Sequence, residues 1–391
     1  MINTRQDAVH KLSSFIKNGL NTYSSQRNFD LGPQNRTNVS NLSPFIKKRI
    51  IHEEEVLNEC LKVKKYEHIE KFIQEVFWRT YWKGWLEGRS EVWEKYKMSL
   101  NELVEQHKFG IRKKNYDDAV NARTGIDCFD FWINELIEFG YLHNHSRMWF
   151  ASIWIHTLNL PWQLGANFFL KHLLDGDPAS NTLSWRWVAG LHTQGKSYLA
   201  NEDNINKFTQ NRFKNKKNLS LKPKIFDYDF YEYKPRGFEA YDKKLENNTI
   251  LINLNNISYN KKTFDICLNN NICLIETMVK NDNSEVVEAF NKKALEDYIS
   301  ILRKKNAKLK IFKDVSDFIN YLNKNNCDQI FTFYPSVGRQ KDFLDYIAKV
   351  NNLNLTFIYD DFDQMCWPFA SSGFFKFKKK IPFFLDKVTS N

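Results

Sequence analysis

Paired cysteines are missing from this chain. Its six cysteines, Cys60, Cys128, Cys267, Cys273, Cys327 and Cys366, are scattered with no C-x-x-C among them, which excludes a zinc knuckle and a disulfide framework and leaves reduced thiols. Missing too is any apolar run near the roughly 20 residues that a membrane span requires. The opening Met-Ile-Asn-Thr-Arg-Gln-Asp has no apolar signal core. A soluble, cytoplasmic protein without a membrane or an obligate protein partner is the expectation. No internal repeat is present, and no G-x-G-x-x-G follows the first predicted strand, which argues against an ordinary dinucleotide site there. Around Asp175-Gly176-Asp177 there is no third or fourth ligand at calcium- or zinc-type spacing, so no metal is expected.

What is present divides the chain in two. A length of 391 residues suits two domains, each long enough to bury its own core. The formal net charge of +11 favours a polyanionic partner such as nucleic acid, although charge by itself argues steering and solubility. Ten of the eleven tryptophans lie between Trp78 and Trp187. Residues 1 to about 200 read as helical, with apolar residues at three and four spacings in 127–141, 147–156 and 163–174, and Pro or Gly at the breaks. Residues 203–247, rich in Asn, Lys, Asp and Tyr, show no sustained periodicity. Strands fit 249–254, 272–276, 308–312, 328–333 and 354–359, and helices fit 286–305, 314–324 and 339–351. That alternation predicts a doubly wound parallel sheet of about five strands. The expected fold class is α followed by α/β: a helical domain over 1–213, an irregular linker over 214–247 and a Rossmann-like α/β domain over 248–391. The Lys-rich stretches at 303–310 and 376–380 read as solvated faces.

Polar residues crowd among the aromatics of the first part. A helix over 72–82 places Glu75, Trp78, Arg79 and Trp82 on one face. Two indoles with a carboxylate and a guanidinium suit the stacking of a flat ring and bonding to its edge. A Trp-rich core face with one intrahelical ion pair explains the same residues. Asn144, Arg147 and Met148 share a face of a second helix, and Arg147 has Asp175 or Asp177 as a salt-bridge partner further on. Buried polar groups are costly unless each finds a partner.

Together these segments resemble the FAD-binding domain of the photolyase/cryptochrome family, over residues 15–213. The family's T-S-x-L-S-P signature is matched by Val39-Ser40-Asn41-Leu42-Ser43-Pro44, with Val in place of Thr. The run from Glu75 to Arg79 follows, then Thr124-Gly125, His143-Asn144-His145-Ser146-Arg147-Met148, Asp175-Gly176-Asp177 and Ser184-Trp185-Arg186-Trp187, in the family's order. The resemblance is greatest to cyclobutane pyrimidine dimer photolyases.

The resemblance implies a role for each matched position. Tyr23, Ser40, Leu42, Ser43 and Arg79 would hold the FAD phosphates and ribityl chain, with Leu-Ser-Pro at the start of a helix over 43–62. Asn144 and the Arg147–Asp175 pair would lie against the folded cofactor, Asp177 would accept from the flavin ring, and Asn181 would face flavin N5 and tune it. Glu75, Trp78, Met148 and Trp187 would form the slot for a flipped-out dimer. Met148 stands where enzymes for the (6-4) lesion place a His. The implied activity is that of a deoxyribodipyrimidine photo-lyase, a light-driven DNA-repair enzyme in which excited FADH⁻ lends one electron to the dimer.

Some positions depart from the family. Trp185 and Trp162 match the inner two residues of its electron relay, but Phe109 stands at the outer place, so Trp93, Tyr116 or another aromatic has to substitute. His145 stands where a basic residue would touch DNA phosphate, alongside Trp78 and Trp187. The α/β unit follows the FAD domain instead of preceding it, which suggests a permuted antenna domain or, alternatively, an unrelated fusion. Its chromophore is left open between a folate, a deazaflavin, a flavin and none. A blue-light photosensor of the cryptochrome type and a flavin protein of another role are the alternatives to repair.

Overall fold

The computed structural model describes residues 3–193, 195–214, 217–238, 245–276 and 282–390. Through residue 208 the regular elements are helices, and the strands begin at Thr249. β1 (Thr249–Leu251), β2 (Asn271–Ile275), β3 (Lys308–Phe312), β4 (Gln329–Phe333) and β5 (Asn354–Ile358) form a parallel sheet in the order β3-β2-β1-β4-β5. In register, Ile250 of β1 stands between Ile272 of β2 and Phe331 of β4. The first strand is shorter than its apolar run. Asn253 leaves the ladder, and its Nδ2 donates to the Phe333 carbonyl at 2.6 Å, tying β1 to the end of β4. The Lys261–Leu268 helix, absent from the periodicity reading, begins at Asn260, whose side chain accepts from the Lys262 amide. No helix among the described residues is long and apolar enough to cross a membrane.

The helix expected over 43–62 is two helices. Ser43–Lys47 stops, Arg49 takes a left-handed φ of 57°, and Glu53–Val63 begins after His52, whose Nδ1 lies 3.2 Å from the Glu54 amide nitrogen. A left-handed Arg costs about 1–2 kcal/mol. The side chain it presents offsets that cost. Its guanidinium is 2% exposed, lies 2.9 Å from Asp360 and bonds Asp363, both just beyond β5, with Glu53 4.0 Å away. The predicted helix over 147–156 likewise changes character, ending at Ser152 and passing into a π turn at Ile153–Thr157.

Each unit has a core cluster of its own, and a third cluster is shared between them. One continuous apolar cluster joins Phe72, Ile73, Phe77 and Tyr81 to residues of the C-terminal unit. Phe77 alone has ring centroids of Phe362 at 5.8 Å and Phe384 at 5.7 Å. Mid-helix Gly84 makes this approach possible, since a Cβ there would stand 2.9 Å from the Trp367 backbone. The carboxyl ends of the strands meet the helical unit directly. Buried Glu87 accepts from the Val337 amide at 2.6 Å and from Tyr334 Oη at 2.9 Å, and Lys47 Nζ donates to Asn255 Oδ1 at 2.8 Å. Gly338, at φ 145°, lies against Pro178 where a Cβ would approach to 2.5 Å. The linker is also anchored. Arg236 bonds Glu87 and Tyr334, the Lys234 amide donates to Gly88 O at 2.9 Å, and Tyr231 is buried. Residues 215–216 and 239–244 of that linker lie outside the described residues.

His52 makes the seam sensitive to pH. Burial works to lower its pKa, but Asp360, whose carboxylate lies 3.1 Å from Nε2, outweighs burial and holds it up at about 9. A raised folded-state value stabilises fully below the unfolded pKa of about 6.5 and is lost as pH rises through about 9. Urea unfolding is expected to show a loss on the order of 3 kcal/mol from this group between those limits. His52→Gln should flatten that slope; an unchanged slope would assign it elsewhere.

Candidate functional site

The predicted site residues come from four separate segments. Tyr66–Glu87 carries Glu75, Trp78 and Arg79; Asn144–Ser152 carries Asn144, His145, Arg147 and Met148; Pro178–Val188 carries Asn181, Trp185 and Trp187; and Ser43 begins the short helix before Arg49. Asp177 caps the Pro178 helix by accepting from the Ser180 amide at 2.8 Å. Asp175 joins two of these segments. Its Oδ2 accepts from Arg147 Nη2 at 2.9 Å and from the Ser43 hydroxyl, while Arg147 Nε donates to Leu142 O at 3.0 Å. Ser43 is therefore engaged by a carboxylate, where the sequence reading had it free for phosphate.

Charge at this junction is unbalanced. Burial presses Asp177 toward the neutral form, but Lys83, Arg79 and Lys47 keep its pKa low; for Asp175 burial is overcome first by Arg147. Lys47 is pushed down to about 8, by burial before any neighbour, and so keeps most of its charge at neutral pH. Four cations, Lys47, Arg79, Lys83 and Arg147, thus face two carboxylates. Lys83 also faces Glu53 and Asp363, and Arg339 lies near Lys47, so cations outnumber carboxylates around Asp175 and Asp177. Arg79 Nη1, Asp175 Oδ1 and Ser180 Oγ are all buried without a hydrogen-bond partner in the protein. Such atoms are expensive to leave unmade. A bound diphosphate bearing hydroxyls and ring nitrogens would satisfy both the charge and these atoms, so the residues present fit an FAD.

Other predicted positions are placed as follows. Tyr23 packs edge-on to Phe15 at 5.8 Å and Phe72 at 5.2 Å; Ser40 Oγ accepts from the Leu42 amide at 3.4 Å, and Leu42 is fully buried. Asn181 is buried, its Nδ2 donating to Ala166 O at 2.9 Å, and Asn144 is exposed. Glu75 pairs with Arg27 at 2.7 Å rather than with Arg79 on its own helix. Burial raises its pKa, with Arg27 opposing. Trp78 is only half available: Phe374 stacks on it at 3.6 Å and 12°, so one face of the expected slot is filled by the chain itself. Met148 and Trp187 are half-buried, Trp187 lying along Tyr198 at 5.5 Å. His145 is packed within the fold. It stacks on Trp149 at 4.6 Å, Nδ1 contacts Asn28 O at 3.1 Å, and burial lowers its pKa, in line with a neutral ring at that position.

Two aromatic chains lead away from the Pro178 helix and its neighbour. Buried Trp185 is edge-on to Trp154 at 6.2 Å, and Trp154 to Tyr116 at 6.0 Å. Trp162 stacks with Tyr96 at 5.7 Å, and Tyr96 lies 5.2 Å from Trp93, whose indole donates to Asp342 at 2.9 Å. Phe109 is 82% exposed. Trp154 and Tyr96 were missed from the sequence, although the Trp93–Tyr96 spacing of three in a helix was a usable signal.

The Arg147–Asp175–Ser43 clasp, with cations and unpartnered polar atoms beside it, suits a ligand that bears a diphosphate. Residues 72–218 match the family model described as the FAD binding domain of DNA photolyase. The deoxyribodipyrimidine photo-lyase of Alkalihalophilus pseudofirmus is 28% identical over 202 residues, covering 50% of this chain and 39% of that protein. That of Agrobacterium fabrum is 30% identical over 186 residues, covering 47% and 37%. The chain thus spans about two-fifths of the length of these relatives. Among solved structures, a bacterial class III photolyase from Agrobacterium tumefaciens aligns with a TM-score of 0.45 at 28% identity, over 52% of this chain and 42% of that one.

Proposed function

We propose that this protein is a light-dependent DNA-repair flavoprotein that binds FAD among Arg79, Asp175 and Asp177 and splits cyclobutane pyrimidine dimers. The observation that carries the reading is the set of unpartnered buried atoms on Arg79, Asp175 and Ser180 within a cluster of net positive charge. Arg79, Lys47 and Lys83 would bind the diphosphate; Arg147, fixed by Asp175 and Leu142 O, would orient the rings; buried Asn181 would offer its Oδ1 to them. FAD, when bound, would supply the light-absorbing electron donor. Glu75 would bond the dimer edge, and Met148, Trp187 and the free face of Trp78 would exclude water from it. We read the α/β unit as antenna-like and placed after the FAD domain. Its chromophore is unassigned, because the strand ends are engaged by Glu87, Lys47 and Arg49.

The test is a purified-protein absorption spectrum, followed by blue-light illumination with a thymine-dimer oligonucleotide. Loss of dimer with reduced flavin bound is expected; flavin present with no loss of dimer would sink repair. The Phe374–Trp78 stack favours a second reading, a cryptochrome-like photosensor whose lesion slot is closed. Trp78→Ala is expected to weaken dimer binding by about 1–3 kcal/mol, and Phe374→Ala to leave it unchanged or tighter. Unchanged affinity in Trp78→Ala would make that indole core packing. For the electron path, Trp93→Phe should slow photoreduction of bound flavin, and Phe109→Ala should not. Equal rates in Trp93→Phe and the parent protein would move the path to Trp154 and Tyr116.

A further inference from the structure

Beyond Trp78 and Trp82, the Tyr66–Glu87 helix reaches a second cavity. Trp85, Arg89, the turn at 191–193, the anchored strap at 228–231, and Ser372 and Gly373 enclose about 290 Å³ beside Arg186. Arg186 is 5% exposed. Its Nη2 donates to Leu191 O at 3.2 Å, its guanidinium lies 5.2 Å from the Tyr231 ring centre, and its Nε is buried without a partner. Arg89 bonds Tyr231 O at 3.2 Å and Ser371 O at 2.7 Å and sits over Trp85 at 4.3 Å, with Nη1 buried and unpartnered. Among the described residues neither guanidinium has a carboxylate within ion-pair distance. The nearby acid, Asp229, accepts from Tyr231 Oη at 3.0 Å. His192, packed against Trp82 and Trp85 at 4.9 and 5.0 Å, adds a buried Nδ1 with no partner. Burial first of all pulls its pKa to about 4 and lowers that of Arg186.

A buried guanidinium and a half-buried one, each with an unpartnered N–H and with Asp229 as the one acid in the lining, suit an anion, and a planar fork of donors suits phosphate oxygens. The remaining walls, Trp85, Tyr228 and Phe230, suit a flat ring. The volume lies at the small end for ligand pockets and admits one ring with one phosphate. We propose that this cavity is a second ligand site that takes a nucleoside monophosphate group, phosphate toward Arg89 and Arg186 and base against Trp85. A free nucleotide and a single nucleotide within a nucleic-acid strand share that chemistry. The inference does not rest on the flavin reading.

The experiment titrates FAD-saturated protein with dTMP, inorganic phosphate and a short oligothymidylate, following tryptophan fluorescence and heat, with flavin absorbance read in parallel. FAD saturation keeps the nucleotide probe out of the flavin site. If the protein takes up no FAD, the repair proposal fails, and the same titration on the protein as purified still decides this one. dTMP is expected to bind more tightly than phosphate, and Arg89→Gln and Arg186→Gln to weaken it by about tenfold or more, with flavin content unchanged in Arg89→Gln. Loss confined to dTMP assigns a free nucleotide; loss shared by the oligonucleotide assigns a strand. Phosphate binding as tightly as dTMP, no binding of either probe, or binding indifferent to Arg89→Gln would overturn the proposal.

Discussion

Arg49→Met is expected to destabilise the protein by about 3–5 kcal/mol, the cost of removing one partner from a buried ion cluster. Methionine replaces much of the volume but none of the charge, and leaves Asp360, Asp363 and Glu53 facing one another with only His52 and Lys83 for compensation. The pH dependence identifies the cause. Burial works to raise Asp360, yet Arg49 and then His52 hold it well below the ordinary carboxylate range. A depressed folded-state pKa stabilises above the unfolded value of about 3.9 and is lost as pH falls through the folded one. The parent protein should therefore lose stability on acidification from about pH 4 downward, and Arg49→Met should lose less. Asp363, raised to about 6 by burial first and held in check by Arg49, rises further without Arg49, so the deficit of the variant should shrink between about pH 7 and pH 5. Urea unfolding across that range checks both. A deficit independent of pH would mean that backbone relaxation at the left-handed Arg49 dominates.

The second large effect lies at the cofactor clasp. Asp175→Ala strands the Arg147 guanidinium and the Ser43 hydroxyl together, with an expected cost of about 3–5 kcal/mol in flavin-free protein. Asp175→Asn keeps an acceptor for Ser43 and should cost less. If the site holds FAD, Asp175→Ala protein should also be purified without flavin absorbance, a readout that simple destabilisation at low temperature would not produce. Full flavin content in a destabilised Asp175→Ala protein would separate the structural role from the cofactor role.

How far the sequence led depends on the range over which each signal acts. The five strands and the helices that carry the site were legible because apolar periodicity is local, whereas the Arg147–Asp175 pair came from the resemblance, the residues alone leaving Asp175 and Asp177 open. The helix over 43–62 was not, because what breaks it is Arg49 reaching for acids more than 300 residues away. Asp177 as a helix cap was within reach, since an Asp before Pro178 is a start signal. Glu75 was paired with Arg79 on paper because they share a helix face, but Arg27 from another segment took the carboxylate. The cavity at Arg186 had no signal at all: Trp85, Arg89, His192 and Tyr228 come from three stretches of chain whose meeting no window records.

The sequence by itself determined the elements and the chemical inventory: a helical half crowded with indoles and cations, an α/β half, and the order of residues that resembles a flavin domain. Those are properties of neighbouring residues, set by periodicity, capping and composition. The tertiary structure alone decided which buried polar atoms are left without a partner, which face of Trp78 remains free, and that the two halves share a core cluster. Burial and pairing are properties of the assembled neighbourhood. A guanidinium becomes a site only when folding strips its water and withholds a carboxylate.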